Sequence, residues 1–122
     1  MKVPVLVDGN QWLIESDHIA RYIVGKFDPL DRYRVNTRDI QHLNARAVLN
    51  GIMSEEVKVI LSRRTGVPTE QYRFYDDALE AIQNGLDWLD ASAAIFDADR
   101  PGYLEFISCA LGNISAITIL FL

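Results

Sequence analysis

The sequence predicts a mostly helical α+β protein, in which a small β-hairpin precedes a bundle of helices. Three observations support this fold class. Two short apolar runs near the N-terminus flank the turn signal Asp8-Gly9-Asn10. Longer stretches follow, with apolar residues at intervals of three and four. The composition, 49% hydrophobic and 24% charged over 122 residues, is that of a globular chain long enough for one core.

The N-terminal segment is predicted to form a strand, a turn, a second strand and a helix. Residues 3–7 are an apolar, β-branched run, and residues 12–14 form the returning strand. Pro4 is placed one residue into the first strand. Within a strand, proline is tolerated only at a sheet edge, at the first residue or with a special peptide-bond geometry. Ser16 is predicted to be the N-cap of the helix, and Asp17 lies in its first turn, where the helix dipole favours a carboxylate.

A linker and a long helix are predicted next. Residues 26–36 contain Asp28-Pro29 and several charges with little periodicity, which is typical of a connection. From about residue 35 to residue 64 there is no proline, and an apolar band recurs at helical spacing. Gly66 is predicted to end this helix, and Pro68 prevents it from resuming.

Two further helices are predicted from periodicity and charge. Residues 71–96 have the clearest apolar repeat in the chain. The last helix begins near Tyr103, where Glu105 can reach back to the backbone at Gly102 and act as part of a capping box. Residues 106–122 carry no charge and reach the lower limit of a membrane span. The polar residues within this segment make it a poor membrane span, however. The alternative is a central helix that other helices surround, which is also apolar on all sides.

Charge and cysteine content narrow the classes of function. The net charge of -5 argues against a nucleic-acid partner, because such proteins usually present a basic face. The single cysteine, Cys109, excludes an internal disulfide and a multi-cysteine metal site, and its apolar neighbours predict a buried thiol. His18 and His42 stand apart, so no metal is expected. With no secretory segment at the N-terminus, a cytoplasmic location is expected.

The order of motifs in the first 25 residues resembles the second half of the thioredoxin-like domain of the glutathione S-transferase family. In that family a Val-Pro pair carries a cis-proline, and its backbone pairs with the cysteinyl part of glutathione. A Glu/Gln-Ser/Thr pair at the next strand-to-helix corner holds the γ-glutamyl end. The matching positions here are Val3-Pro4 and Glu15-Ser16, and residues 19–23 are similar to the helix that follows.

The resemblance implies a particular division of the chain. Residues 1–25 would be the C-terminal half of the thioredoxin-like, glutathione-binding domain, residues 26–36 the linker, and residues 37–122 a truncated helical domain of the transferase C-terminal type. The family elements expected before Val3, including the residue that activates the thiol, are missing, and so are the last helices. No catalytic residue is therefore expected within this chain.

The resemblance also implies ligands and partners. Glutathione would be the co-substrate, an electrophilic small molecule would bind between the two domains, and the full-length parent would be a homodimer. Neither a nucleic acid nor a membrane is expected as a partner.

Three functions stay open at this point. The full-length parent would transfer the glutathione thiolate to an electrophile, a non-catalytic relative would serve as a binding or assembly module, and a fragment would have no independent activity. For Glu15-Ser16, the alternative to glutathione binding is a strand-end acid followed by a helix cap. A Ser hydroxyl at a helix N-terminus is nevertheless a natural receptor for a carboxylate, and Glu15 can meet an ammonium group.

Overall fold

The computed structural model describes residues 4–121, with side chains described for residues 4–112. It is mostly helical (66%) and contains a small two-stranded antiparallel sheet. The elements of the described chain are β1 (Val5–Asp8), β2 (Gln11–Ile14), α1 (Ser16–Phe27), α2 (Ile40–Arg64), α3 (Arg73–Ala91) and α4 (Tyr103–Phe121), with 3₁₀ turns at Thr69–Gln71 and Ala93–Ile95. The predicted mostly helical α+β class is confirmed at this level.

The chain divides into two compact units, Met1–Thr37 and Arg38–Leu122. The first unit contains the hairpin and α1, and the second contains α2, α3 and α4. The division falls just after the segment that the sequence predicts as a linker, residues 26–36. Helix α1 continues into that segment and ends at Phe27.

The hairpin of the first unit turns at Gly9-Asn10. Gly9 has a φ of 59°, which suits the first loop residue of a type II′ turn and which glycine adopts without a steric penalty. Strand β1 begins at Val5, so the predicted start at Val3 was wrong. Pro4 immediately precedes the strand, where its missing N–H costs no ladder hydrogen bond. Val3 itself lies outside the described residues.

The two faces of the hairpin differ in burial. Leu13 is 5% exposed and pairs with Leu6 on the face that also carries the polar contacts to α1. Because side chains alternate along a strand, the other face carries Val7, Trp12 and Ile14. These three are 51%, 63% and 44% exposed. One face of the hairpin therefore carries the buried Leu13 beside the half-buried Leu6, and the other is a largely exposed apolar surface.

Helix α2 begins at Ile40, later than the predicted start near Val35. The reason is a competing local structure. The Asp31 carboxylate accepts hydrogen bonds from the backbone N–H groups of Val35 at 2.8 Å and Asn36 at 2.7 Å, which holds both residues in a loop. Asp39 then caps the helix, because its carboxylate accepts from free N–H groups of the first turn.

The ends of α2 and α3 differ in how well the sequence predicts them. Helix α2 ends at Arg64, and Gly66 follows with a φ of 86°, as predicted. Helix α3 was predicted to continue to Phe96, but it ends at Ala91. The 3₁₀ turn Ala93–Ile95 follows. The apolar repeat of the sequence therefore extends past the end of the α-helix into this turn.

The start of α4 confirms the predicted cap. The Glu105 carboxylate accepts hydrogen bonds from the backbone N–H groups of Gly102 and Asp97, both at 2.9 Å. One side chain thus fixes both the helix start and the loop before it.

In the part of the chain that the structure describes, no helix combines the length and apolar character that crossing a membrane requires.

Helices α2 and α4 supply the central core of the second unit, and α3 packs beside them. The buried members of this core are Ala45, Leu49, Ile52, Leu104, Ile107 and Leu111. Cys109 is exposed, so the predicted burial of its thiol was wrong. It lies two positions after Ile107, about 200° around the helix, and therefore on the side away from the core.

Candidate functional site

The predicted binding residues meet at the corner between β2 and α1. The backbone N–H of Glu15 donates to the carbonyl of Pro4 at 3.3 Å, so the residue before β1 is adjacent to the residue after β2. Ser16 is the first residue of α1 and is exposed. The structure thus brings three of the four predicted residues together. The fourth, Val3, is outside the described range.

Glu15, and not Ser16, is the N-cap of α1. The Glu15 carboxylate accepts hydrogen bonds from the backbone N–H groups of Asp17 at 3.1 Å and His18 at 3.3 Å. Its carbonyl accepts from Ile19 at 3.0 Å, as the carbonyl of a cap residue does. The predicted Ser16 cap was wrong because α1 begins one residue earlier: the Glu15 carbonyl already accepts from Ile19, so Ser16 is the first residue inside the helix. The Ser16 hydroxyl is consequently left outside the cap.

The backbone of Glu15 is strained. Its φ is 88° and its ψ is 135°, a conformation that glycine enters readily and residues with a Cβ rarely adopt. Such conformations cost about 1–3 kcal/mol and persist only where the surroundings enforce them. Here the bond to Pro4 holds the Glu15 N–H, and the helix amides hold its carboxylate. Strain of this kind clusters at binding and active sites, so Glu15 is a candidate binding residue.

The corner can recognise two opposite charges at once. The Glu15 carboxylate is an exposed acceptor, and a carboxylate has lone pairs beyond those that two amides use. The Ser16 hydroxyl stands at the positive end of the helix dipole, which favours an anion. An ammonium on Glu15 and a carboxylate on Ser16 would suit both. This arrangement fits the zwitterionic end of an amino acid.

A second polar cluster, Asp8–Tyr22–Lys26, joins the hairpin to α1. The Tyr22 hydroxyl donates to the Asp8 carboxylate at 2.6 Å, and the Lys26 ammonium pairs with the same carboxylate. Lys26 also lies 5.6 Å from the centre of the Tyr22 ring. The sequence shows Tyr22 and Lys26 one helical turn apart, hence on one face, but it gave no sign that Asp8 is their partner.

Members of this cluster shift one another's pKa. The hydrogen bonds from Lys26 and Tyr22 hold the pKa of the Asp8 carboxyl below its usual value. The hydrogen bond to Asp8 raises the pKa of the Tyr22 hydroxyl and of the Lys26 ammonium. A tyrosine whose proton is committed to a carboxylate is a poor donor to a thiolate. The contacts of Tyr22 and Lys26 on α1 with Asp8 at the end of β1 attach the hairpin to the helix.

The second unit contains an open cavity of about 480 Å³ between α2, α3 and α4. Its walls are mostly apolar and include Leu49 and Leu111, with Asp90 and Ser108 as the polar lining residues. The sequence did not predict this cavity, because its walls come from three helices that are far apart along the chain. Only their packing brings these residues together.

Within the described residues, no group of three or more His, Cys, Asp or Glu side chains is placed to hold a metal ion. His18 is exposed in the first unit, and His42 is buried in the second. Comparison with known protein families, curated proteins and solved structures finds no match to this chain.

Proposed function

We propose that the corner of Pro4, Glu15 and Ser16 binds the γ-glutamyl end of glutathione, as the resemblance to the glutathione S-transferase family implies. The strained backbone of Glu15 is the observation that supports this most strongly. It holds a carboxylate beside the exposed Ser16 at the start of a helix. The γ-glutamyl group carries an ammonium and a carboxylate on one carbon, which matches this pair.

Each residue has a separate role in the proposed complex. Glu15 pairs with the ligand ammonium through lone pairs that the helix amides leave open. The Ser16 hydroxyl, at the positive end of the helix, donates to the ligand carboxylate. The backbone beside Val3 and Pro4 pairs with the cysteinyl part. The hairpin and α1 would then be half of a thioredoxin-like domain, and α2 to α4 part of a transferase-type helical domain.

The whole parent protein would use the bound thiol as a nucleophile against an electrophilic small molecule, and it would act as a homodimer. The reacting species is the thiolate, so catalysis requires a group that lowers the thiol pKa. The resemblance places this group before Val3, so we assign the role to none of the described residues. The Tyr22 hydroxyl on α1 is bonded to Asp8. Binding without conjugation is the function assigned to the described residues, and a non-catalytic relative would share it.

Titration calorimetry with three ligands tests this proposal on the 122-residue chain. Glutathione and its thiol-free analogue ophthalmate share the γ-glutamyl group, whereas cysteinylglycine lacks it. We expect the first two to bind alike and cysteinylglycine at least about tenfold more weakly, because a charged hydrogen bond contributes about 1.5–3 kcal/mol. Equal binding of all three ligands, or no binding of glutathione, would contradict the proposal.

Two substitutions identify the residues involved. Glu15→Gln keeps an oxygen that can cap α1 but removes the charge, and Ser16→Ala removes the hydroxyl. Each is expected to weaken glutathione binding by about 1–3 kcal/mol. Glu80→Gln, at an exposed position on α3, is the matched control and should leave the affinity unchanged. Wild-type affinity in both corner variants would reduce Glu15 and Ser16 to a structural cap.

A further inference from the structure

We propose that the cavity of the second unit binds a small hydrophobic amine, a ligand with an apolar body and one ammonium group. This proposal is independent of glutathione binding, because none of its residues belongs to the corner of the first unit. The cavity volume of about 480 Å³ lies within the range that small-molecule sites occupy, roughly 300–1,000 Å³. The opening leaves a path for a ligand to enter.

The walls favour an apolar ligand body. Four large apolar residues line the cavity: Leu49 and Leu111 are 1% and 4% exposed, and Leu89 and Phe96 are half-buried. Displacing water from such a surface by an apolar group is favourable. A ring system or a short branched chain would therefore gain most by filling this space.

Charge at the cavity favours a cation. Asp90 is the only charged residue among those that line the cavity, and it is exposed. It lies in the last turn of α3, where the helix dipole already places partial negative charge and where no basic residue offsets it. The Asp90 carboxylate makes no hydrogen bond or ion pair within the part of the chain that the structure describes, whereas the Asp90 backbone carbonyl accepts from the Ser92 N–H at the helix end. Carboxylate and helix end thus attract a positive group together.

A second polar group fits the same ligand. The Ser108 hydroxyl, on α4, lines the cavity and is half-buried. A hydroxyl oxygen accepts hydrogen bonds, so it can serve an ammonium that Asp90 attracts. An anionic ligand would meet the Asp90 carboxylate in a chain whose net charge is already -5. A neutral ligand would leave the charge of Asp90 unused.

Three probes that differ in charge but share one ring system test the proposal on the full chain. Tryptamine is a cation, tryptophol is neutral and indoleacetate is an anion. Amide chemical shifts followed by NMR report both the affinity and the place of binding. We expect tryptamine to shift the amides of Leu89 and Leu111 and to bind about fivefold more tightly than tryptophol, the scale of one exposed ion pair. Indoleacetate should bind most weakly, and added salt should reduce the preference.

Substitutions distinguish the effect of the Asp90 charge on binding from the effect of the cavity's size. Asp90→Asn should remove the preference for tryptamine over tryptophol, and Asp76→Asn, at an exposed position near the start of α3, should keep it. Gly112→Leu should weaken all three probes. Gly112 lines the cavity, and an added Cβ would meet nothing within 4 Å, so the larger side chain is accommodated and narrows the space.

Tryptophol binding as tightly as tryptamine, or a preference that survives Asp90→Asn, would show that charge plays no part. Shifts confined to residues outside the cavity would place the ligand elsewhere. Neither result depends on whether the corner of the first unit binds glutathione.

Discussion

At Glu15 a helix cap and a strained backbone occur in one residue. The side chain stabilises α1, whereas the φ of 88° costs stability. Glycine would remove the strain together with the cap, and alanine would remove the cap but keep the strain. Comparing these two substitutions isolates the energy stored in the backbone from that of the carboxylate.

We expect the Glu15→Gly variant to be more stable than the Glu15→Ala variant by about 1–3 kcal/mol. Hydrogen exchange of the α1 amides, which reports local opening, is the measurement. Both variants should lose glutathione affinity if the carboxylate binds the ligand ammonium. Equal protection in the two variants would mean that Glu15 carries no strain in solution.

The Asp8 cluster gives the first unit a defined pH dependence. Because the pKa of Asp8 is lowered on folding, its contribution to stability is present above its usual pKa of 3.8 and is lost as the pH falls through the lower folded value. The pKa values of Tyr22 and Lys26 are raised, so their contributions are complete below the usual 10.0 and 10.5 and are lost as the pH rises through the folded values. The attachment of the hairpin to α1 should therefore be strongest between these limits.

Asp8→Asn tests this dependence. In a pH series of amide NMR spectra, the hairpin signals of the wild type should change at the acid end, and those of the variant should not. Asp76→Asn on α3 serves as the control and should behave as the wild type does. An acid transition that survives Asp8→Asn would assign it to another carboxyl group.

At this scale the sequence predicted the place of the corner but not its geometry. Residue types at Glu15 and Ser16 were sufficient to locate a helix start, because capping depends on local chemistry. They could not show that Glu15 adopts a positive φ, since that conformation depends on the bond to Pro4 across the hairpin. The cavity that Asp90 lines was missed for a similar reason, because it exists only once three helices have packed.

At the scale of elements, α2 and α3 approach closely at Gly85. A Cβ at this position would lie 2.7 Å from Cγ1 and 2.8 Å from Cδ1 of Ile52, which is 3% exposed. Ile52 is β-branched and buried, so it cannot easily give way. Gly51 on α2 has open space around it instead, with nothing within 4 Å of an added Cβ.

Alanine at these two glycines should have opposite effects. Gly51→Ala is expected to stabilise the protein by about 0.5–1 kcal/mol, the helix-propensity gain. Gly85→Ala should destabilise it by about 1–2 kcal/mol, because the cost of overpacking, about 1–3 kcal/mol, exceeds that gain. Urea unfolding followed by circular dichroism measures both. Stabilisation by Gly85→Ala would mean that α2 and α3 are further apart in solution.

Helix boundaries were predicted well where one local sequence signal sets them, and poorly where two local structures compete for the same residues. Gly66 and Glu105 fixed a helix end and a helix start from sequence alone. The start of α2 was misplaced because the absence of proline from about residue 35 onward permits a helix there, while the Asp31 carboxylate binds the Val35 N–H into a loop. Val35 is 4% exposed, so its apolar side chain is buried although the residue lies in a loop and not in a helix.

For the whole molecule, periodicity was enough to predict a mostly helical chain with one small sheet, because burial sets the apolar spacing of every long helix. It could not predict how much apolar surface stays uncovered. A two-stranded sheet offers one face to α1 and leaves the other open. This open face carries Val7, Trp12 and Ile14. Exposed apolar patches on sheets are prone to association.

We expect the chain to self-associate through this face, and Val7→Lys to reduce the association. A lysine opposite Trp12 keeps the cross-strand pair and adds a charge that blocks stacking of two hairpins. Val57→Lys is the matched control: Val57 is 42% exposed, close to the 51% of Val7, but it lies on α2. Sedimentation velocity over a concentration series should show a weight-average mass that rises for the wild type and for Val57→Lys, and stays near that of a monomer for Val7→Lys. A wild-type chain that remains monomeric, or an equal effect of both lysines, would mean that the hairpin face does not drive association.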